Sequence, residues 1–344
     1  MNDLLPIGKL PVELLGSLLD KIPITDPRII LGPGIGMDCT VIDVGSSLLV
    51  MKTDPITFTS KNISWYAVNI NANDIATTAA VPLWMLATLL LPESSTTSDL
   101  VEQIFDQLIK SCTEIGITLV GGHTEVTHGI DRPILIGTMI GEVSKDKLVT
   151  PQGAVPGDRI LLTKGIPIEA VSILAREFES ELSNDLSEDE IAEAKNYIIK
   201  PGISVLQDAQ IAVKSGVVHA MHDPTEGGLL AALWEFSDAS SQSLMVDTGK
   251  ILIPELAKKI CRALNIDPLG AIASGALLLA APTQDSKNIQ SGLRSANIPC
   301  EDIGCIRAGI ETGVGLDRGV FSETKSGIQK LDRPKRDEIT KLFS

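Results

Sequence analysis

Short apolar runs alternate with helix-period stretches along almost the whole chain. This confines the fold to an α/β or α+β architecture and excludes a helical bundle or a β-sandwich. In the first half the pattern predicts strands over 41–43 and 47–53 around Gly45, then a short helix opened by Asp74 and a strand over 83–91. An amphipathic helix over 98–115 follows, with Leu100, Ile104, Leu108, Ile109 and Cys112 on one face and Ser98 as candidate N-cap. Strands over 117–120 and 134–143 complete this half. The turn-rich segments Pro151-Gln152-Gly153 and Pro156-Gly157-Asp158 mark a joint, after which the pattern begins again. It predicts strands over 159–163, 217–221, 276–281 and 302–306, and helices over 169–178, 203–214, 225–236, 254–264 and 286–296, with an acidic connector over 179–190. A chain of 344 residues exceeds what one core usually serves. The expected units are 1–150, 151–315 and a charged tail over 316–344, lying on the surface from Lys325.

With 44% apolar residues the chain is globular, and a net charge of -15 with a pI near 4.7 argues against nucleic-acid or anionic-membrane partners. The apolar runs 83–91 and 276–281, bounded by Pro82, Pro92 and Pro282, fall short of the ~20 residues that span a bilayer. The N-terminus lacks a basic region followed by an uninterrupted apolar core, so the expectation is a cytoplasmic protein. Cysteines 39, 112, 261, 300 and 305 are odd in number and scattered, which suits reduced core thiols better than disulfides. Cys300 and Cys305 lack two further nearby ligands for zinc.

Four aspartates stand at turns or helix starts: Asp38 after Gly34-Ile35-Gly36-Met37, Asp54 in Lys52-Thr53-Asp54-Pro55, Asp74 after Asn71-Ala72-Asn73, and Asp223 in His222-Asp223-Pro224-Thr225-Glu226-Gly227-Gly228. Phosphoryl transfer needs Mg2+ on oxygen ligands, gripped phosphates and an aligned acceptor, and dispersed carboxylates at strand ends can supply the first. Gly34-Ile35-Gly36 lacks both the Lys-Ser/Thr pair of a phosphate loop and a third glycine, so any ATP is held another way. Each aspartate also has a local reading: Asp38 as a turn residue, Asp54 as a strand end, and Asn73-Asp74 as a helix cap. Asp223-Pro224-Thr225-Glu226 reads as N-cap, N1 and capping box, which leaves Gly227-Gly228 unexplained in a first helical turn. Two glycines there cost about 1 kcal/mol each, tolerable where a backbone or phosphate approaches closely.

Val120-Gly121-Gly122-His123-Thr124-Glu125 follows a predicted strand, and its glycine pair permits backbone angles that could expose amides while Glu125 joins the carboxylates. The other reading is a strand-ending turn with a solvated Glu125. His123 is a candidate general base or a structural histidine, and Lys164 a candidate phosphate contact or a surface lysine. His128, His219 and His222 carry less, although His222 adjoins Asp223.

In this order the segments LGPGIGMDCTVID, KTDPITF, WYAVNINANDIATTAAVP, LVGGHTEVT, GTMIGEV, PGDRILLTKG, HAMHDPTEGGL and GAIASGALLLA resemble the superfamily of aminoimidazole ribonucleotide synthetase (PurM), selenophosphate synthetase, thiamine-monophosphate kinase and HypE. Within it they are most similar to HypE-like, AIR synthase-related proteins. The resemblance implies a PurM-like N-terminal domain that dimerises through its sheet, a C-terminal α+β domain, and ATP in the cleft between them near the dimer interface. It implies Mg2+ and phosphate contacts at Asp38, Asp54 and Asp74. Gly121, Gly122, His123, Thr124, Glu125 and Asp223, with Asn73, Gly227 and Gly228, would lie around the same site. Where the family shows an acidic residue, Asp and two alanines, this chain has Met37-Asp38-Cys39-Thr40, which implies fewer metals. HypE proteins end in a carbamoyl-carrying cysteine, whereas this sequence ends Lys341-Leu342-Phe343-Ser344. The expectation is therefore an ATP- and Mg2+-dependent homodimeric enzyme that activates an amide or oxygen of an unidentified small-molecule or protein-borne acceptor. A non-catalytic ATP-binding scaffold and a small-molecule kinase are the alternatives.

Overall fold

The computed structural model describes residues 5, 8, 10–57, 61–312, 315–324 and 327–343. Lys325, the expected start of the surface-lying tail, and the terminal Ser344 lie outside them. The first part of the chain forms α1 (Val12–Leu19), β1 (Ile29–Leu31), β2 (Thr40–Asp43), β3 (Leu48–Ile56), α2 (Ile63–Thr77), β4 (Val81–Pro92), α3 (Ser98–Glu114), β5 (Thr118–Thr127) and β6 (Ile134–Val143). Its six strands make one sheet in the order β1-β2-β3-β6-β4-β5, antiparallel except for the β4–β5 pair that α3 connects. Strand alternation sets the faces. In β6 Leu135, Met139 and Val143 point inward, with Gly137 and Gly141 between them. α2 lies directly on those glycines: a Cβ at Gly137 would stand 2.6 Å from Asn71 Nδ2, and one at Gly141 2.5 Å from Ile75 Cγ2.

α2 is the main departure from the expected elements. Asp74 does not open a helix; it sits in the last turn of a 15-residue one. The helix is buried on nearly every side, by the first sheet on one flank and the second part of the chain on the other. A helix buried all round has no polar stripe, so its periodicity is mute. α3, with one face in solvent, follows the expected pattern; Thr97, and not Ser98, caps it by accepting from Leu100 N. The strand expected over 117–120 continues to Thr127 through both glycines.

The second part forms β7 (Arg159–Thr163), α4 (Ile168–Glu177), α5 (Glu179–Leu182), α6 (Glu188–Lys195), α7 (Leu206–Ser215), β8 (Ala220–His222), α8 (Gly228–Ser240), β9 (Ser243–Val246), α9 (Glu255–Ala263), β10 (Leu278–Ala281), α10 (Thr283–Ser295) and β11 (Cys300–Arg307). A hairpin of β12 (Ile310–Thr312) and β13 (Gly315–Asp317) precedes β14 (Val320–Thr324) and β15 (Gly327–Lys330). The second sheet runs β15-β14-β9-β11-β7-β10-β8. Ile160, Leu162, Leu278 and Ala280 pack under α8, while Leu161, Leu279 and Ala281 pack under α7 and α10. Covering both faces explains why these strands read as unbroken apolar runs. Residues 316–344 are not wholly a solvated tail: β14 pairs with β9, and Val320, Phe321 and Asp337 are buried. α7 begins at Leu206, later than expected, because Asn73 of α2 holds the preceding segment. Its Nδ2 donates to Ile203 O and its Oδ1 accepts from Val205 N, both at 2.8 Å.

Glu169, in the first turn of α4, is buried, and burial pushes its carboxyl up to about 7; nearby Ser274 acts in the opposite direction and Asp337 adds to the rise. Its ordinary value is 4.5. The folded chain therefore holds this proton more tightly than the unfolded one. The stability it contributes is complete below pH 4.5 and is lost as pH rises through about 7. The difference is on the order of 3 kcal/mol. Denaturation midpoints should fall between about pH 5 and about pH 8, and Glu169→Gln should flatten that profile; an unchanged profile contradicts the assignment.

Candidate functional site

Where the first sheet meets the second part of the chain, polar side chains from four elements converge. In β3 the residues that face α2 are Leu48 and Val50, then Lys52 and Asp54, so the apolar stripe turns polar at one end. Lys52 Nζ lies 2.8 Å from Asp74 Oδ2 at the end of α2 and 4.0 Å from Asp38 Oδ1. Asp38 lies in the loop between β1 and β2, which rests against α8: Gly36 abuts Ala239 and the backbone of Glu235. Cys39 Sγ donates to Asp74 O at 3.2 Å, fixing this loop to α2. From the second sheet, β8 presents His222 and then Asp223, both buried.

His222 bridges two carboxylates, with Nδ1 3.2 Å from Asp38 Oδ2 and Nε2 2.9 Å from Glu235 Oε2. Burial works against its charge, but Asp38 and Glu235 outweigh that and hold the imidazole well above its ordinary value. Nε2 is hydrogen-bonded to Glu235, while Nδ1 faces Asp38 across an ion-pair contact without a hydrogen bond among the described residues. Asp38, His222 and Asp223 each place one polar atom within 4.8 Å of the others. Two carboxylates at such a separation repel by about 3 kcal/mol at an effective dielectric constant of 20. The consequence falls on the acids. Burial, then the charge of Asp38, pushes Asp223 up to about 6 despite His222 and Lys52. Burial likewise holds Asp74 well above the usual carboxylate range although Lys52 opposes it, and Asp223 and Asp38 add to the rise. For Lys52 burial opposes the charge, and Asp74, Asp38 and Asp54 together raise it. Asp223 Oδ2 is buried without a hydrogen-bond partner among the described residues. An orphaned carboxylate oxygen beside other carboxylates suits a hard divalent cation, which takes oxygen ligands and relieves the repulsion.

The structure thus brings Asp38, Asp74 and Asp223 together, with Asp54 close enough to act on Lys52. It distributes the other candidates elsewhere. Gly121, Gly122, His123, Thr124 and Glu125 lie inside β5 at the sheet edge, with two strands between β5 and β3, so roughly 14 Å separates those two strands. His123 Nε2 and Glu125 Oε2 pair with each other at 3.1 Å on the exposed surface. Gly122 is required by the neighbouring strand, since a Cβ there would stand 1.8 Å from Ala87 O beside the β4 bulge. Lys164 is not a surface lysine: its ammonium is buried, donates to Gly275 O at 3.0 Å and to Ser204 O, and pairs with Asp208 at 3.1 Å. Asn73 has both ends of its amide engaged by 203–205 and is a latch between the two parts of the chain.

The Asp223-Pro224-Thr225-Glu226 run is a loop and not a helix start; α8 begins at Gly228, with Gly227 at the N-cap in the left-handed region at φ 83°. Asp223 faces the carboxylate cluster, so it cannot cap. Gly227 N donates instead to Asp337 Oδ2 at 2.6 Å, and a Cβ at Gly228 would stand 2.6 Å from Ala271 O. Gly228 thus makes room for neighbouring backbone, and Gly227 takes a left-handed conformation with a Cβ there 2.7 Å from that of Ala231. Sequence reasoning passed over Lys52 and Glu235 and ranked His222 low, although it adjoins Asp223. One signal was present: a lysine inside an alternating apolar strand, in the quoted KTDP segment.

Family models for the AIR synthase related protein match both parts of this arrangement, the N-terminal domain at residues 36–143 and the C-terminal domain at 155–317. The chain belongs to the AIR synthase-related family, within the PurM superfamily. A hydrogenase expression/formation protein of Methanocaldococcus jannaschii is 28% identical over 349 residues, covering 97% of each chain. The carbamoyl dehydratase HypE of Cupriavidus necator is 28% identical over 257 residues, 72% of this chain and 69% of that protein. Among solved structures, hydrogenase maturation protein HypE in complex with ATP superimposes with a TM-score of 0.70 at 24% identity, covering 94% of this chain and 90% of that one. These homologues mark the chain as an enzyme of the PurM superfamily.

Asp337 also accepts from Ile339 N at 3.1 Å, so its carboxylate organises the mouth of α8 from the far end of the chain. Asp337→Ala should lower stability by about 2 kcal/mol, the cost of a buried amide deprived of a charged acceptor. Denaturant titration should show a lower midpoint at unchanged slope; an unshifted midpoint contradicts the anchoring role.

Proposed function

We propose that this chain is an ATP- and Mg2+-dependent enzyme that activates an amide or oxygen of an acceptor by phosphoryl transfer, with the nucleotide phosphates at the Asp38–Asp74–Asp223 cluster. One observation carries the reading: three carboxylates from separate elements converge with an orphaned, buried oxygen on Asp223. Mg2+ is held by one or two carboxylates plus phosphate oxygens in preference to a full protein cage, and this cluster offers that many. Asp38 and Asp223 would hold the ion, which when bound neutralises charge on the transferring phosphoryl group. Lys52 is placed to balance the remaining carboxylates, and His222, fixed between Asp38 and Glu235, orients Asp38. ATP as the nucleotide is supported by the HypE complex that shares the fold, and the amide class of acceptor by the carbamoyl dehydratases among the relatives.

A homodimer belongs to the same reading. β4 and β5 expose the apolar side chains Val81, Leu86, Val120 and Val126 near the edge of the first sheet that also carries Gly121–Glu125, with Val81 and Leu86 on the face away from α2. Pairing two copies there would cover exposed apolar side chains and remove an open edge. No helix among the described residues is long and apolar enough to cross a membrane.

Titration of Mg-ATP should show saturable binding to a species that sediments as a dimer, weakened roughly tenfold or more by Asp38→Asn or Asp223→Asn. A sedimenting monomer contradicts the dimer, and absent binding, or binding indifferent to both substitutions, contradicts the site.

A further inference from the structure

Lys52 stands where its strand would otherwise place an apolar side chain. On the face of β3 that packs against α2, Leu48 and Val50 are buried, and Lys52 follows in the same alternation with its side chain 16% exposed. Burying an ammonium is costly unless it is paired, so its position calls for an account in terms of its partners. Those partners come from separate elements. Nζ lies 2.8 Å from Asp74 Oδ2 on α2 and 4.0 Å from Asp38 Oδ1 on the β1–β2 loop, and the charges of Asp54 and Asp223 also act on it. A point charge bridging carboxylates of separate elements does what a bound metal ion does in such a cluster.

A second observation bears on what is left for a ligand. Asp223 is 1% exposed and its Oδ2 has no hydrogen-bond partner among the described residues, although it lies in the group formed with Asp38 and His222. Asp74 Oδ2 makes no hydrogen bond either, but it has the Lys52 ammonium 2.8 Å away, whereas among the described residues no cationic side chain pairs with Asp223. His222 cannot fill that gap, being engaged by Asp38 and Glu235.

We propose that the Lys52 ammonium is a built-in cation occupying one of the cation positions of the carboxylate cluster, between Asp74 and Asp38. The chain then recruits one fewer divalent ion than the same site with a neutral residue at 52. Lys52 is a positioning residue in this account: it holds Asp74 and the loop of Asp38 in place before any ligand arrives. The inference rests on the Mg-ATP reading given above.

The test counts metal and does not rely on turnover. Mn2+ bound per full-length chain is measured by electron paramagnetic resonance with a saturating non-hydrolysable ATP analogue. Mn2+ alone is measured by its effect on thermal unfolding, since an ion that binds only the folded state raises the midpoint by mass action. Lys52→Met should bind one more Mn2+ than wild type with the analogue. Without nucleotide it should bind Mn2+ roughly tenfold or more tighter, as expected when a like charge a few ångströms away is removed. Lys52→Arg should keep the wild-type count. Equal counts in wild type and Lys52→Met, with the analogue bound by both, overturn the inference and leave the Mg-ATP reading standing. No Mn2+ in either protein with the analogue present overturns both. Should Lys52→Met fail to fold, wild type still decides: little stabilisation by Mn2+ without nucleotide supports a resident cation, and strong stabilisation overturns it.

Discussion

The ion pair between Lys52 and Asp74 is the contact on which the rest of the site depends. It joins the middle of the first sheet to the end of α2, in a place where carboxylates from the β1–β2 loop and the second sheet also arrive. Without a cation these acids could not share so small and dry a space, because the desolvation cost and mutual repulsion of several ionised groups exceed what packing returns. The chain answers with two cations of its own, Lys52 and the imidazolium of His222. Even so, burial and the charge of Asp38 push both Asp223 and Asp74 upward, Asp223 adds to the rise of Asp74, and one buried oxygen on Asp223 has no hydrogen-bond partner among the described residues. A cluster that is nearly, but not fully, neutralised is primed for a ligand that brings positive charge and further oxygen atoms.

α2 turns this local arrangement into a joint. One of its faces lies on glycines 137 and 141 of the first sheet, and another turns Asn73 and Asp74 towards the second part of the chain. Trp65, Tyr66 and Ile70 extend that contact onto the core around α4 and α9. The cluster sits at the far end of this helix, so its geometry follows the packing of both sheets on α2. The C-terminal segment reinforces the joint from behind: Asp337 holds the Gly227 amide, and Ile339 and Leu342 pack on the same core as Tyr66.

Much of the fold was legible in sequence, for reasons that differ by element. α3 declares itself because one face meets water, and β7 and β10 because unbroken apolar runs mark strands covered on both sides. α2 was nearly illegible for the opposite reason, since burial on every side erases the stripe from which a helix is read. At the site the order of motifs pointed to Asp38, Asp54, Asp74 and Asp223; the chain brings Asp38, Asp74 and Asp223 together, with Asp54 near enough to act on Lys52. It could not show that Gly122 and Gly228 make room for backbone, because the atoms concerned, Ala87 O and Ala271 O, come from distant segments. Nor could it reveal Lys52 and His222, whose meaning lies in partners such as Asp74 and Glu235. Local spacing can nominate acids; only the fold shows how their charge is balanced.

The central claim is that this balanced cluster, at the meeting of the two sheets, is where metal and nucleotide phosphates are held. A crystal structure of the protein grown with Mn2+ and a non-hydrolysable ATP analogue, with anomalous data at the manganese edge, tests it most directly. The account predicts an anomalous peak within about 2.2 Å of carboxylate oxygens of Asp38 or Asp223, bridging to the phosphates, with Lys52 still against Asp74. Nucleotide bound away from the cluster, or manganese ligated by residues other than these, would contradict it.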